Sequence, residues 1–205
     1  APASGEQMLD MLAWATGPSE HGVVAIRMPG EQILRSNVPP IWRSIRCNAP
    51  KSMIRPSILP GNAHSPAIRL SARQRCAILG LGNTMPLAAE VTSALAEDDE
   101  THAAITATLV DALQYSTMDA ELLMMLADGH RLVVTLEDGQ LEGGWGEKVT
   151  AFYANSSNAK ASHVRVLNFG ASKKFTDRVP LDELNERYGL TVATIVSRIH
   201  GILNE

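Results

Sequence analysis

Residues 131–146 read RLVVTLEDGQLEGGWG, a short apolar run followed by a glycine-rich turn. The apolar run at 132–136 is rich in β-branched residues, which predicts a buried strand that Glu137 and Asp138 end. Apolar residues at helical spacing follow the turn at 143–146, so we expect a helix that runs to about residue 154. A strand, a glycine turn and a helix in this order predict one unit of an α/β sheet.

The glycine turn allows two interpretations. Backbone N–H groups at a helix N-terminus can bind a phosphate, but glycines there also let a helix begin close to a sheet. The turn is not followed by Gly-Lys-Ser or Gly-Lys-Thr, and no G-x-G-x-x-G spacing fits it. Close packing of the helix is therefore favoured over phosphate binding.

The chain from residue 75 onward alternates between strand and helix patterns. Strands are predicted at 77–81, 105–110 and 163–169, in addition to the one at 132–136. Further helices are predicted after the capping residues Thr84, Asp119 and Thr191, and at 181–188 before Gly189. This alternation predicts an α/β fold, an open three-layer α/β/α sandwich with a mostly parallel sheet.

The composition limits the class of protein. Hydrophobic residues make up 45% of the 205 positions, enough for a buried core, and no apolar run approaches the roughly 18 residues of a membrane helix. The first residues lack the pattern of a secretory signal. Neither Cys47 nor Cys76 lies in a motif, and the six histidines lack metal-binding spacing. A cytoplasmic protein with reduced thiols and no metal site is expected.

The residues before 75 differ from the rest. Ser4 and Gln7 form a capping box that predicts a helix ended by Gly17, and a short strand is predicted at 22–27. The segment from Arg27 to Arg75 then carries nine Lys and Arg against one acid, a net charge of +8, which leaves −12 for the remainder of the chain. Such a stretch could bind nucleic acid, but its only aromatic residue is Trp42. A solvated, Pro-rich linker at 31–74 is the favoured interpretation, without nucleic-acid binding.

Several blocks of the chain match, in order, the motifs of one family. They read RCAILGLG (75–82), ATLVD (107–111), MD (118–119), VTLEDG (134–139), GGWG (143–146), VLNFG (166–170) and ERYGL (186–190). In this order they resemble the C-terminal domain of the transketolase family, and within it the 1-deoxy-D-xylulose-5-phosphate synthases. Residues 6–12 and 22–29 resemble the end of the pyrimidine-binding domain that precedes it. The resemblance thus implies three parts: a domain tail at 1–30, the linker at 31–74 and a transketolase C-terminal domain at 75–205.

The resemblance implies a transferase, a homodimer, and thiamine diphosphate with Mg²⁺ as cofactors of the full-length parent. Those synthases join pyruvate to glyceraldehyde 3-phosphate in isoprenoid precursor synthesis. No segment here resembles the family's Mg²⁺-diphosphate motif or its cofactor-activating glutamate, so this segment is expected to hold no cofactor and to be inactive in isolation. Gly30 stands where the family has the arginine expected to contact the substrate phosphate, and Leu113 replaces another arginine. Loss of such a contact costs about 2–4 kcal/mol of binding.

Three residues are candidates for contact with a substrate or with another domain. Arg27 ends the predicted strand at 22–27. Glu137 and Asp138 follow the central strand at its carboxyl end, where α/β sheets bind ligands. Because adjacent residues of a strand point apart, a helix cap and an interdomain contact are expected in preference to an acid–base pair. No catalytic nucleophile can be nominated.

The resemblance therefore predicts the C-terminal portion of a thiamine-diphosphate enzyme, with a structural role, contacts to the parent's N-terminal domains and a part in dimerisation. The alternative is a stand-alone interaction or regulatory domain of the same fold, whose basic segment binds an acidic partner or anion.

Overall fold

The computed structural model describes residues 1–18, 23–28, 57–59, 76–97, 104–116 and 118–205. The helices in these ranges are α1 (Gly5–Ala15), α2 (Met85–Leu95), α3 (Ala120–Gly129), α4 (Trp145–Ala154), α5 (Leu181–Tyr188) and α6 (Val192–Leu203). The strands are β1 (Ser57–Leu59), β2 (Cys76–Gly80), β3 (Ala107–Asp111), β4 (Leu132–Gln140) and β5 (Arg165–Ala171). Single turns of 3₁₀-helix lie at Gly82–Thr84 and Ala161–His163.

The strands form one sheet in the order β1-β3-β2-β4-β5. The strands β2 to β5 run parallel to one another, and β1 pairs antiparallel with β3 at the edge. The predicted α/β sandwich with a mostly parallel sheet is confirmed. The short edge strand β1 comes from within the predicted linker at 31–74.

Helices cover both faces of the sheet, because alternate residues of each strand point to opposite sides. Cys76 and Ile78 of β2 pack with α2 and α6 on one face. Ala77 and Leu79 pack with α3 and α4 on the other face. All five residues of β2 are buried, as expected for the central region of a parallel sheet. The two apolar layers fix the position of the sheet's carboxyl edge, where the candidate site lies.

Several predicted helix boundaries are confirmed. The side chains of Ser4, Asp119 and Thr191 cap α1, α3 and α6 by accepting hydrogen bonds from the backbone N–H three residues later. Thr84 precedes α2 as predicted, but its hydroxyl does not cap the helix. It donates instead to the Leu136 carbonyl at 2.6 Å, because the turn after β2 lies against β4.

Two strand predictions are wrong. Residues 23–28 form no strand. No described strand forms a backbone hydrogen-bond ladder with them, and an extended segment without such a ladder is not a strand. Glu137 and Asp138 do not end the central strand either. They lie inside β4, which continues to Gln140 because β5 also extends to Ala171 and pairs with it there.

The close approach of α4 to the sheet depends on Gly146. A Cβ atom at this position would lie 2.6 Å from the Thr135 hydroxyl and 3.0 Å from Asn168, whose side chains are hydrogen-bonded to each other at 2.7 Å. The glycines therefore let the helix begin close to the sheet.

We predict that Gly146→Ala lowers the free energy of unfolding by about 1–3 kcal/mol, because the added methyl group overpacks this contact. Gly201→Ala is the matched control, since a Cβ in α6 at that position meets nothing within 4 Å. The control should stabilise the protein by about 0.5–1 kcal/mol through helix propensity. Urea denaturation followed by circular dichroism measures both, and equal effects would contradict the packing argument.

Candidate functional site

The carboxyl edge of the sheet brings together the ends of β2, β3 and β4 and the N-terminal segment. The chain leaves β2 toward β3 on one side and leaves β4 toward β5 on the other, so the crevice between β2 and β4 is the topological switch point. In open α/β sheets ligands bind at such a crevice. The three candidates Arg27, Glu137 and Asp138 all lie here, but they do not form one constellation.

Glu137 holds the N-terminus of α4. Its carboxylate accepts hydrogen bonds from the backbone N–H of Trp145 at 3.0 Å and from that of Gly146 at 2.8 Å. The side chain is 4% exposed. A buried carboxylate at a helix N-terminus is stabilised by both the N–H donors and the positive end of the helix dipole.

Glu137 lies beside an irregularity in the sheet, on the face of β4 that α4 covers. Leu136 pairs with Phe169 and Gln140 pairs with Ala171, so three residues of β4 lie between these pairs where β5 has one. Val133 and Thr135 of β4 already point to the α4 face, and Glu137 continues their alternation. The carboxylate occupies the N–H groups that a phosphate would need, so the described geometry offers no free anion site at this helix end.

Asp138 points to the opposite side and binds the N-terminal segment. Its Oδ1 lies 2.9 Å from Nη1 of Arg27, and its Oδ2 accepts a hydrogen bond from Asn83 Nδ2 at 3.2 Å. The side chains of Arg27 and Asp138 are 44% and 30% exposed, so this ion pair contributes at most about 1 kcal/mol. The contact joins residues 23–28 to the switch-point crevice.

A third carboxylate, Asp111, lies at the end of β3. It is 1% exposed and accepts a hydrogen bond from Gln7 Nε2 of α1 at 2.6 Å and one from the Leu113 N–H at 3.3 Å. Desolvation by burial raises the pKa of Asp111 to about 6, against the opposing effect of these hydrogen bonds. No local sequence pattern indicates this contact, because Gln7 and Asp111 are 104 residues apart.

The structure thus pairs Arg27 with Asp138, whereas the Glu137 carboxylate binds the start of α4. Each carboxylate is hydrogen-bonded to groups of this chain, and Glu137 and Asp138 face opposite sides of β4, so they make no acid–base pair. Within the described ranges, no three His, Cys, Asp or Glu side chains converge as metal ligands would. None of the helices in those ranges is both long and apolar enough to cross a bilayer.

Comparison with known proteins assigns the fold to a family. Residues 66–195 match the family model described as Transketolase, C-terminal domain. The chain belongs to this family. It is similar to the 1-deoxy-D-xylulose-5-phosphate synthase of Erwinia tasmaniensis, with 33% identity over 126 residues, which are 62% of this chain and 18% of the relative. The synthase of Dehalococcoides mccartyi is 28% identical over 123 residues, 60% of this chain and 18% of the relative.

A solved structure supports the same assignment. A split-gene transketolase, described in words as an "inactive beta4 tetramer", matches with a TM-score of 0.56. It is 25% identical over 73% of this chain and 42% of that chain. The matched part of this chain corresponds to about a fifth of the length of the synthases. The chain is therefore a transketolase C-terminal domain related to these synthases and to transketolases.

We predict that Glu137→Gln lowers the free energy of unfolding by about 2–3 kcal/mol. The amide leaves one backbone N–H facing an NH₂ group and removes the charge from the helix N-terminus. Glu147→Gln is the control, because Glu147 accepts from the Gly143 N–H at the same turn but is exposed. Its effect should stay within about 0.5–1 kcal/mol. Chemical denaturation of both variants measures the difference, and a Glu137→Gln protein as stable as the control would refute the buried cap.

Proposed function

We propose that this chain is the C-terminal portion of a 1-deoxy-D-xylulose-5-phosphate synthase-like enzyme, with a structural role and no catalysis of its own. The observation that carries the proposal is the ion pair between Arg27 and Asp138 at the switch-point crevice. Arg27 of the N-terminal segment pairs there with Asp138, and that segment resembles the end of a pyrimidine-binding domain. At the carboxyl edge of the sheet, where a ligand would bind, Asp138 instead binds the preceding segment of the chain through Arg27.

The polar groups at this edge support a structural role because each is already partnered within the chain. The Glu137 carboxylate binds α4, Asp138 binds Arg27 and Asn83, and Asp111 binds Gln7. A catalytic acid or base must instead reach the proton it transfers. We infer that Arg27, Glu137 and Asp138 are positioning and interdomain residues rather than catalytic ones.

The other features of the proposal come from the family. Thiamine diphosphate and Mg²⁺ would be held by parts of a parent outside this chain, and the parent would be a cytoplasmic homodimer. Residues 1–30 would be the domain tail, 31–74 the linker and 75–205 the C-terminal domain. Leu113 is 7% exposed, so a buried apolar side chain stands where the family's arginine would present a charge. A parent of this kind would need another cation to hold a phosphorylated substrate.

Absence of activity in the isolated segment has a parallel among the similar structures. The split-gene transketolase that matches this chain is described as an "inactive beta4 tetramer". We propose the same for this chain by itself, since the three carboxylates at the carboxyl edge of the sheet are each bound to other groups of the chain.

Calorimetric titration with Mg²⁺ and thiamine diphosphate tests the proposal. We expect no binding heat with this chain, because the cofactor site would lie in other domains. A chimera is the positive counterpart, in which residues 76–205 replace the matched segment of the Erwinia tasmaniensis synthase. The chimera should retain the cofactor affinity of that synthase. Saturable heat with the isolated chain, or a folded chimera that no longer binds the cofactor, would contradict the proposed structural role.

The alternative function, a stand-alone domain that binds an acidic partner, is favoured by one observation. The segment from Arg27 to Arg75 carries +8 while the rest of the chain carries −12. Binding to poly-glutamate that weakens steeply between 50 and 300 mM salt would favour this alternative, since contacts between exposed charges are screened by salt. No binding at low salt would exclude it.

A further inference from the structure

The contact between Asp111 and Gln7 is a partly buried hydrogen bond between two parts of the chain that are 104 residues apart. Asp111 ends β3, the second strand of the sheet, and Gln7 lies in the first turns of α1. None of the residues of α1 is buried, and Leu9 is 63% exposed. The helix therefore reaches the sheet through its N-terminal end and through few contacts, which makes each polar contact important for where α1 lies.

The orientation of the Gln7 side chain is fixed by its neighbours. Its Oε1 accepts a hydrogen bond from the Ala3 N–H at 2.7 Å, so its Nε2 donor must be the atom that faces Asp111. The backbone N–H of Gln7 donates to the Ser4 hydroxyl at 3.2 Å, which is the cap of α1. The helix cap and the contact with the sheet thus share one residue.

Both carboxyl oxygens of Asp111 act as acceptors in this arrangement. Oδ2 accepts from Gln7, and Oδ1 accepts from the Leu113 N–H. Leu113 has a φ of 55°, a left-handed conformation that a leucine rarely adopts, and its carbonyl accepts a hydrogen bond from the Ala1 nitrogen at 2.7 Å. The turn after β3 is therefore held on one side by Asp111 and on the other by the N-terminal segment.

In the part of the chain that the structure describes, the groups that donate hydrogen bonds to Asp111 are uncharged: the Gln7 amide and the Leu113 N–H. The charged side chains of Arg27 and Asp138, at the same edge, are paired with each other. The acidic residues of α1, Glu6 and Asp10, are exposed, and the residues paired with Asp111 in the sheet, Gly80 and Ser57, carry no charge. Burial of the carboxyl group therefore outweighs the favourable contacts.

We propose that Asp111 is a positioning residue that couples the docking of α1 on the sheet edge to the protonation of its carboxyl group. The inference concerns this chain alone and does not depend on the reaction proposed above. Docking α1 covers the carboxyl group, and undocking exposes it to water. A group that is buried in one state and solvated in the other binds protons with different affinity in the two states, so the equilibrium between them depends on pH.

The direction follows from the pKa of Asp111, which is raised in the docked state to about 6 from 3.8. A raised pKa means that the docked state binds the proton more tightly, so docking is most stable below pH 3.8. This stabilisation is lost as pH rises through about 6, and no further change from this group follows above it. The population of undocked α1 should therefore rise between pH 4 and 7, on the order of 10- to 100-fold.

Hydrogen exchange followed by mass spectrometry tests the proposal. Protection of peptides from α1 is measured between pH 4 and 8, corrected for intrinsic exchange rates, with a peptide from α6 as internal reference. The wild type should lose α1 protection as pH rises, and the loss should level off above about pH 6.5. Asp111→Asn, which cannot ionise, should abolish this pH dependence. Asp138→Asn, a change at the same edge that leaves Asp111 intact, should retain it.

A second measurement needs no variant. The ¹³C chemical shift of the Asp111 carboxyl group, followed with pH in the wild type, should titrate well above the usual range of an aspartate. Titration near pH 4 would overturn the proposal, and so would α1 protection that does not change between pH 4 and 7. A pH dependence that persists in a folded Asp111→Asn protein would assign the effect to another group and would also overturn it.

Discussion

The Glu137 carboxylate holds α4 against the sheet, and the arrangement of the carboxyl edge depends on this contact. Two backbone N–H groups of the helix donate to a carboxylate that is almost fully buried. Each hydrogen bond to a charged group contributes about 1.5–3 kcal/mol, and a buried carboxylate without such donors would be strongly unfavourable. The alternation of side chains along β4 and the close approach at Gly146 make the contact possible.

The same contact determines what the edge can do. In many α/β folds the N–H groups at the start of a helix bind a phosphate or another anion. Here Glu137 takes that place at α4. The other two carboxylates of the edge bind side chains: Asp138 binds Arg27, and Asp111 binds Gln7. An edge whose polar groups are satisfied internally is suited to holding another segment of protein. This agrees with a domain whose family relatives are several times longer than the matched region.

The local parts of the fold could be predicted from the sequence. The apolar runs around Ile78, Leu109 and Val134 identify buried strands, and Asp119, Thr191 and Gly189 mark helix ends, because these signals depend only on neighbours along the chain. The length of β4 could not be predicted, since its continuation to Gln140 requires β5 as a partner. A strand at 22–27 was wrongly expected because an apolar, β-branched run does not show whether a neighbouring strand exists.

The candidate site was only partly predictable for the same reason. Glu137 and Asp138 were found because they follow the apolar run of the central strand, and their opposite orientations follow from strand geometry. The contacts of Asp138 with Arg27 and Asn83 join segments far apart in the chain. Asp111 ends a predicted strand like many other aspartates, and only the fold shows that it is buried against α1.

The proposed function makes this chain the C-terminal part of a larger assembly whose cofactor-binding parts lie elsewhere. The most direct test is to purify the native protein from cell extract and measure the intact mass of the polypeptide that carries this sequence, together with any chain that remains bound to it. We expect either a polypeptide several times heavier than 22.1 kDa or a stable complex with a separate chain that binds thiamine diphosphate. A free species of 22.1 kDa without a bound partner chain would contradict it.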